Sequence, residues 1–457
     1  MDNIKKDKKK PKKANIKDIN KVGILGSGLM GHGIAYVTAL VGIKTVMVDR
    51  TQKTADVGLS KIELILLGKL KKGLLTKEKM KKILNKITAT NDFSKLAGCD
   101  LIIEAVYEDR DLKGRVTIQA EKYINKESIF ASNTSTIPIT TLAKKSRKPD
   151  NFIGIHFFSP VHRMKLIEII KGKKTSQMAL LKALDYAKKI KKTPIVVNDS
   201  PGFYTTRVFE RYTNEGLEMI YEGQKIESIE NSAINAGYPV GPLAIIDEIN
   251  INLIANIRKQ KYQENKEKIH KMTKFNSDKV IDLMIKKVNR TGRSGIGGFY
   301  EYPKHGRKFL WTDIKKYFPL SKKQLSKREM IDRFYFSQAI EAIRCYEEGV
   351  IESVSDANIG SILGWGFPKA KGGTLKFVND YGSIDYGLVS LRNMVPEEMM
   401  YPGLIAIDSS GDDDVSDDSI FASVAGSTPE NPGVAPGSVL AILQRTRDNS
   451  SNEVVFF

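Results

Sequence analysis

Cysteine is almost absent: Cys99 and Cys345 are the only two in 457 residues. Two thiols make no disulfide framework, and their scarcity fits a reducing compartment. Long apolar runs are missing too. No stretch reaches the length of about 18 residues that a spanning helix needs, so no membrane span is expected. The N-terminus is basic with no apolar stretch behind it, unlike a secretory signal, and it is neither Arg-rich nor amphipathic, unlike a mitochondrial presequence. A cytoplasmic location is the expectation. Acidic residues are in deficit, 53 against 73 basic ones, for a net charge of +20. Such a surface attracts nucleic acid, anionic membrane or phosphorylated small molecules. Part of the excess is local, because Met1–Lys17 holds eight lysines and two acids. A block like that reads as a solvated tail, residues 1–19, rather than a nucleic-acid site.

What is present reads as two or three domains. Short β-branched or apolar runs recur at Val22–Leu25, Thr45–Val48, Leu101–Ile103, Ile129–Ala131, Phe152–Ile155 and Ile195–Val197. Helical stretches such as Lys53–Leu70 and Lys77–Leu84 lie between them. Alternating strand and helix predicts a doubly wound, mainly parallel α/β domain of the Rossmann type over residues 20–199. Phe203–Ile296 reads as helical instead, so residues 200–302 are expected to form an all-α domain. A second copy follows. Glu215–Gly223 is echoed by Glu341–Gly349, Ile226–Ser228 by Ile351–Ser353, and Gly237-Tyr-Pro239 by Gly366-Phe-Pro368, at offsets of 125 to 129 residues. Two copies make a duplicated domain rather than a solenoid. The expected second copy, 328–385, is truncated, and Lys304–Lys327 is a polar, basic connection. Lysine stops at Lys376 and is absent from the last 81 residues. Residues 386–457 are expected to be a disordered tail, with the natural end of the second copy lost, for instance by a shifted reading frame after about Gly387.

Gly26-Ser-Gly28-Leu29-Met30-Gly31 follows the first strand and opens an apolar helix. The first glycine permits the turn, the second lets backbone approach a pyrophosphate, and the third lets helix pack on strand. The helix start then offers free N–H groups to phosphate. Asp49 ends the next strand, 23 residues after Gly26, where a carboxylate accepts the adenosine ribose 2′-OH and favours NAD over NADP. A glycine-rich turn without a ligand is the plain alternative.

Of five histidines, His156 sits where an apolar strand ends, and ligand sites in open α/β sheets lie beyond such ends. Its imidazole suits removal of a hydroxyl proton near neutral pH. Ser159–Arg163 is a plausible turn. Antiparallel pairing about His162 sets Glu168 opposite His156, where a hydrogen bond satisfies the buried acid and fixes the imidazole tautomer. A core histidine and a surface glutamate remain the plain alternative. His162 is the rival base, although its polar turn suits a loop residue. Ser132-Asn-Thr-Ser135 ends another strand; its hydroxyls are fit either for substrate and nicotinamide or for capping a helix at Thr140–Lys145.

Together these motifs resemble the 3-hydroxyacyl-CoA dehydrogenase family. The matching phrases are GSGLMGHGIA (26–35), IFASNTSTIPIT (129–140), GIHFFSPVHRMKLIEII (154–170), DSPGFYTTRV (199–208) and GYPVGPLAIIDE (237–248). The resemblance covers about residues 20–385. With ILGWGFPKAKGG at 362–373, the chain is similar to the dehydrogenase half of multifunctional fatty-acid oxidation enzymes, without their enoyl-CoA hydratase domain. The resemblance implies helical domains like the C-terminal domain of 6-phosphogluconate dehydrogenase, NAD as cofactor, a 3-hydroxyacyl-CoA substrate and no metal. It makes His156 the base, Glu168 its partner and Ser135 a contact of substrate and cofactor. Gly26, Gly28, Leu29, Met30, Gly31, Asp49 and Ser159 fall at the cofactor, with Glu108 and Lys113 near the nicotinamide ribose. Thr206 stands where single-function members often have Asn, and its hydroxyl is expected to donate to the substrate oxygen. Lys69, Lys71 and Lys72 are expected at the CoA phosphates, and a thiolase or hydratase chain is a possible partner. The family tends to dimerise through its helical domain; here the second copy is expected to fill that surface. A β-hydroxyacid dehydrogenase using a lysine base and a non-catalytic scaffold are the competing readings.

Overall fold

A computed structural model describes residues 18–264 and 276–380, with side chains of 260–264 left aside. The basic tail before residue 18, His270 and the expected disordered segment from 386 lie outside the described residues. The chain divides into two compact units. The first ends at Thr206 and also takes in Val350–Glu352 and Leu363–Trp365; the second holds, of the described residues, those of 207–349, Ser353–Ile362 and 366–380.

The first unit is built on eight strands: β1 (Lys21–Leu25), β2 (Lys44–Val48), β3 (Ile87–Thr90), β4 (Leu101–Glu104), β5 (Ile129–Ser132), β6 (Phe152–Phe157), β7 (Leu166–Lys171) and β8 (Thr193–Asn198). Their order is β3-β2-β1-β4-β5-β6-β7-β8. Every pairing is parallel except β6 with β7, so the sheet is mainly parallel as its apolar strands imply. Helices α1 (Leu29–Leu40), α2 (Gln52–Lys71), α3 (Lys77–Leu84), α4 (Arg110–Ala120), α5 (Ile139–Ala143) and α6 (Gln177–Lys189) connect the strands. Local chemistry starts several of them. Thr51, Thr76, Asp109 and Ser176 each accept an N–H of the following turn, worth about 1 kcal/mol apiece. Ile24, Ile103, Ile153 and Ile155 are fully buried in the sheet core, each contributing about 2 kcal/mol over exposure. The sequence reading misses β3, whose Ile-Thr-Ala-Thr buries only its two ends. It also cuts β4 short, because Glu104 is charged yet 1% exposed at the strand end. The chain reverses direction in the sheet order at β1 and β4, the kind of switch point at which open α/β sheets bind ligands.

The second unit is helical: α7 (Thr205–Tyr221), α8 (Ile226–Ala236), α9 (Pro242–Ile249), α10 (Ile251–Glu264), α11 (Asn276–Asp282), α12 (Lys327–Glu347), α13 (Val354–Gly364) and α14 (Thr374–Asp380). Helix α7 begins two residues inside the first unit. The connection at Lys304–Lys327 is less irregular than its composition suggests, since Phe309–Leu310 pairs antiparallel with Tyr300–Glu301. The sequence repeat is a structural one: α7–α8 corresponds to α12–α13. The echoing motifs also touch. A Cβ on Gly237 would lie 3.2 Å from Pro368, one on Gly366 would lie 2.6 Å from Pro239, and the Tyr238 and Phe367 rings meet edge-on at 6.0 Å.

Candidate active site

The glycine loop leaves β1 for α1 at the sheet's switch point. Gly26 has φ +97°, and a Cβ there would sit 2.8 Å from the Ala105 carbonyl oxygen. A Cβ on Gly31 would fall 1.8 Å from the Gly26 carbonyl oxygen, so strand and helix approach too closely for any side chain. Gly28 differs: a Cβ there meets nothing within 4 Å. It is the N-cap of a 12-residue helix and supplies no side-chain cap. Uncapped amides facing open space fit a pyrophosphate, while Leu29 is exposed and Met30 half-buried beside them. Asp49 is occupied by protein donors. It accepts from the Ser27 amide at 2.7 Å, the Ser27 hydroxyl at 2.5 Å, the Arg50 amide at 2.7 Å and the Thr54 hydroxyl at 3.0 Å. Burial opposes its ionisation, but the Ser27, Arg50 and Thr54 donors outweigh it and hold the carboxyl below its usual range. The acid expected at a ribose therefore also pins the glycine loop.

Two further carboxylates organise the ends of β4 and β5. Glu104 accepts from the Val106 amide, the Ser132 hydroxyl and the Lys113 ammonium, at 2.7, 2.7 and 2.9 Å. Lys113, 2% exposed, also lies 3.3 Å from Glu108. Glu108 in turn accepts from the Thr134 and Thr136 hydroxyls and from the Ser135 and Thr136 amides. Lys113 is thus sunk between two acids, and its charge holds the β5 loop rather than facing a ligand alone. Asn133 joins the loop to β6 by accepting the Phe157 amide at 2.8 Å. The capping alternative for Ser132–Ser135 fails: the start of α5 is capped by Asp199, which accepts the Ile139 and Thr140 amides at 2.8 and 2.7 Å. Among the described residues the Ser135 hydroxyl has no hydrogen-bond partner.

His156 and Glu168 are register partners across the antiparallel β6–β7 pair. His156 Nδ1 lies 2.9 Å from Glu168 Oε2. Glu168, 0% exposed, also accepts the Tyr204 amide at 3.1 Å, the Thr205 amide at 2.9 Å and the Thr205 hydroxyl at 2.6 Å. A carboxylate with these donors accepts from Nδ1–H, which leaves Nε2 as the bare nitrogen. Nε2 has no protein partner among the described residues. Phe158 lies against the imidazole with ring centroids 4.5 Å apart, and Phe203 at 6.3 Å. Ser159 is exposed in the following turn. His162 meets the Tyr36 ring edge-on at 6.2 Å and bonds no acid. Burial, then the charges of Arg163 and Lys69, depress its proton affinity. Lys69 lies 5.3 Å over the Tyr36 ring, while Lys71 and Lys72 are exposed at the end of α2.

Thr206 departs from expectation. Its hydroxyl donates to the Ser135 carbonyl oxygen at 3.0 Å, so its one proton ties down the serine loop instead of pointing at a substrate. Sequence reasoning also misses Glu104, Asp199 and Thr205. Glu104 has a legible signal, an acid closing an apolar strand. Thr205 has none, since it lies 37 residues from the carboxylate it serves.

Residues 21–200 match the family model described as 3-hydroxyacyl-CoA dehydrogenase, NAD binding domain, and residues 202–302 match 3-hydroxyacyl-CoA dehydrogenase, C-terminal domain. A fatty acid oxidation complex subunit alpha from Pseudomonas savastanoi pv. phaseolicola is 34% identical over 388 residues, 83% of this chain and 53% of that protein. The chain thus spans about half the length of the curated relatives it matches. Among solved structures, (S)-3-hydroxybutyryl-CoA dehydrogenase from Ralstonia eutropha is 33% identical with a TM-score of 0.58, covering 63% of this chain and all of its own. The dehydrogenase part of multifunctional enzyme 1 from C. elegans is 27% identical with a TM-score of 0.58, covering 86% of this chain and 90% of its own.

Proposed function

The chain belongs to the 3-hydroxyacyl-CoA dehydrogenase family, and on that premise we propose that it oxidises an L-3-hydroxyacyl-CoA to the 3-oxoacyl-CoA, with His156 as base. The observation that carries this reading is the buried His156–Glu168 bond with Nε2 left bare. NAD, when bound, supplies the acceptor for the hydride from C3. His156 Nε2 takes the proton of the 3-hydroxyl, and Glu168 stabilises the resulting imidazolium. Ser135 orients the substrate oxygen with its unengaged hydroxyl. Gly28 and the start of α1 hold the pyrophosphate, and the Asp49 carboxylate disfavours a 2′-phosphate. Lys69, Lys71 and Lys72 give the CoA phosphates a basic edge.

A β-hydroxyacid dehydrogenase with a lysine base is less well supported, because Lys113 is taken up by Glu104 and Glu108. The relatives' name, a subunit of a fatty acid oxidation complex, supports a hydratase or thiolase chain as partner. No helix among the described residues is long and apolar enough to cross a membrane, and the cytoplasm is the compartment we assign.

The test is NADH formation from NAD and 3-hydroxybutyryl-CoA, repeated with longer chains. His156→Gln is expected to lose about a thousandfold in turnover and Glu168→Gln about a hundredfold, while His162→Gln keeps most of it. Full turnover in His156→Gln overturns the assignment of the base. Protein that binds NADH but turns over no acyl-CoA is a non-catalytic subunit.

A further inference from the structure

Thr205 is the first residue of α7 and is 2% exposed. Its amide donates to Glu168 Oε1 and its hydroxyl to Oε2, so one residue grips both oxygens of the carboxylate. His156 Nδ1 bonds that same Oε2. Imidazole and hydroxyl therefore share one acceptor atom. We propose that Thr205 is a positioning residue for the reaction: its hydroxyl holds the Glu168 carboxylate oriented as an acceptor, and thereby keeps the proton of neutral His156 on Nδ1. The proposal rests on His156 being the base.

The physical case starts from burial. An unaided carboxylate with no solvent contact takes up a proton rather than stay charged. Protonated, Glu168 donates to Nδ1 instead of accepting from it. The neutral imidazole then carries its proton on Nε2, the nitrogen that must receive the substrate proton. Catalysis thus needs an ionised Glu168. On Oε1 the amides of Tyr204 and Thr205 provide for this at the start of the helix, where a negative charge is favoured. On Oε2 the Thr205 hydroxyl is the one donor besides His156 among the described residues. A carboxylate only accepts, so that hydroxyl must donate.

No neighbour can substitute. The next residue, Thr206, sends its proton to the Ser135 carbonyl. Glu168 stands beside Ile195 of β8 in register. Phe158 and Phe203 wall the imidazole, and a Cβ at Gly364 would lie 3.7 Å from the Thr205 methyl. Among the described residues no other ionisable side chain bonds either member of the pair.

The experiment measures kcat and KM for oxidation of 3-hydroxybutyryl-CoA against pH in Thr205→Val, Thr205→Ser, Thr205→Ala and His156→Gln. The Thr/Val and Ser/Ala pairs each remove the hydroxyl at nearly constant shape, so the comparison survives if one variant fails to fold. Without the hydroxyl, kcat is expected to drop about tenfold with both KM values within about twofold, the loss of one charge-assisted hydrogen bond. The acid limb of the kcat profile moves up, because Oε2 then serves the imidazolium alone. Thr205→Ser restores both. Folded Val and Ala variants with an unmoved acid limb overturn the proposal, whatever their kcat. Activity retained in His156→Gln overturns the underlying reading instead.

Discussion

Arg207 and Arg333 are counterparts that make the same contact in opposite directions. Arg207 reaches Glu341 at 2.7 Å and pairs with Glu348; Arg333 pairs with Glu215 and Glu222. An offset of 126 residues relates Arg207 to Arg333, Glu215 to Glu341 and Glu222 to Glu348. The two helical copies therefore meet about a local twofold relation, each presenting the same arginine to the other's two acids. Packing of this kind normally joins separate subunits. Arg333 is 7% exposed, and removing it strands Glu215, 16% exposed, while Glu222 stays solvated. Arg333→Met is expected to cost about 3 kcal/mol, and Arg333→Met with Glu215→Met to recover part of it. Urea midpoints for single and double variants check this. A harmless single variant counts against a buried pair. A monomer in sedimentation is the matching expectation for the whole chain.

Gly28 and Gly31 separate binding from folding. A Cβ on Gly28 meets nothing, whereas one on Gly31 strikes the Gly26 backbone. Gly28→Ala is expected to melt like the parent yet bind NADH about tenfold more weakly, a change of about 1.4 kcal/mol. Gly31→Ala disrupts the loop and lowers the melting temperature as well. Equal NADH affinity in Gly28→Ala and the parent removes the pyrophosphate from that cradle.

Gly364 is a close approach in the first unit. A Cβ there would lie 3.0 Å from Leu166 Cδ2 and 3.9 Å from the Phe158 ring that packs on His156. Gly364→Val is expected to push Phe158 and Thr205, cutting kcat about tenfold while NADH binding stays level. Stopped-flow turnover beside a fluorescence titration of NADH reads the two separately. A parallel loss of both points to general misfolding.

Glu108 sets an acid limit. Burial opposes its ionisation, but the Lys113 charge and the hydroxyls of Thr134 and Thr136 outweigh it and hold the carboxyl below its ordinary range. A depressed carboxyl stabilises the fold above its unfolded value, about 4.3, and that contribution is lost as pH falls through the lower folded value. The melting temperature is expected to hold from neutral pH to about 5 on this account and to fall below about 4.3. Glu108→Gln lowers the neutral value and flattens the acid fall. Melting curves in a pH series decide it, and an unchanged acid slope in the variant rejects the assignment.

The glycine loop and the His156–Glu168 pair were legible because both are local. Gly26, Gly28 and Gly31 announce strand, turn and helix in succession. Glu168 lies 12 residues from His156, and folding about one short turn suffices to set them opposite. Asp49 was legible as an acid at a strand end, but its four protein donors were not. The pairing of Glu104 with Lys113 was not legible, because their ion pair forms only once α4 has packed beside β4.

By itself the sequence determined the doubly wound domain, the cofactor loop, the His156–Glu168 pairing and the duplicated helices. Each rests on periodicity, on spacing of a dozen residues or fewer, or on a repeat. Tertiary structure decided which hydroxyl serves which partner. Thr205 and Thr206 are adjacent and alike, yet one donates to Glu168 and the other to Ser135. Their roles diverge because the first turn of a helix points successive side chains in different directions, and only the packed sheet determines what each one meets.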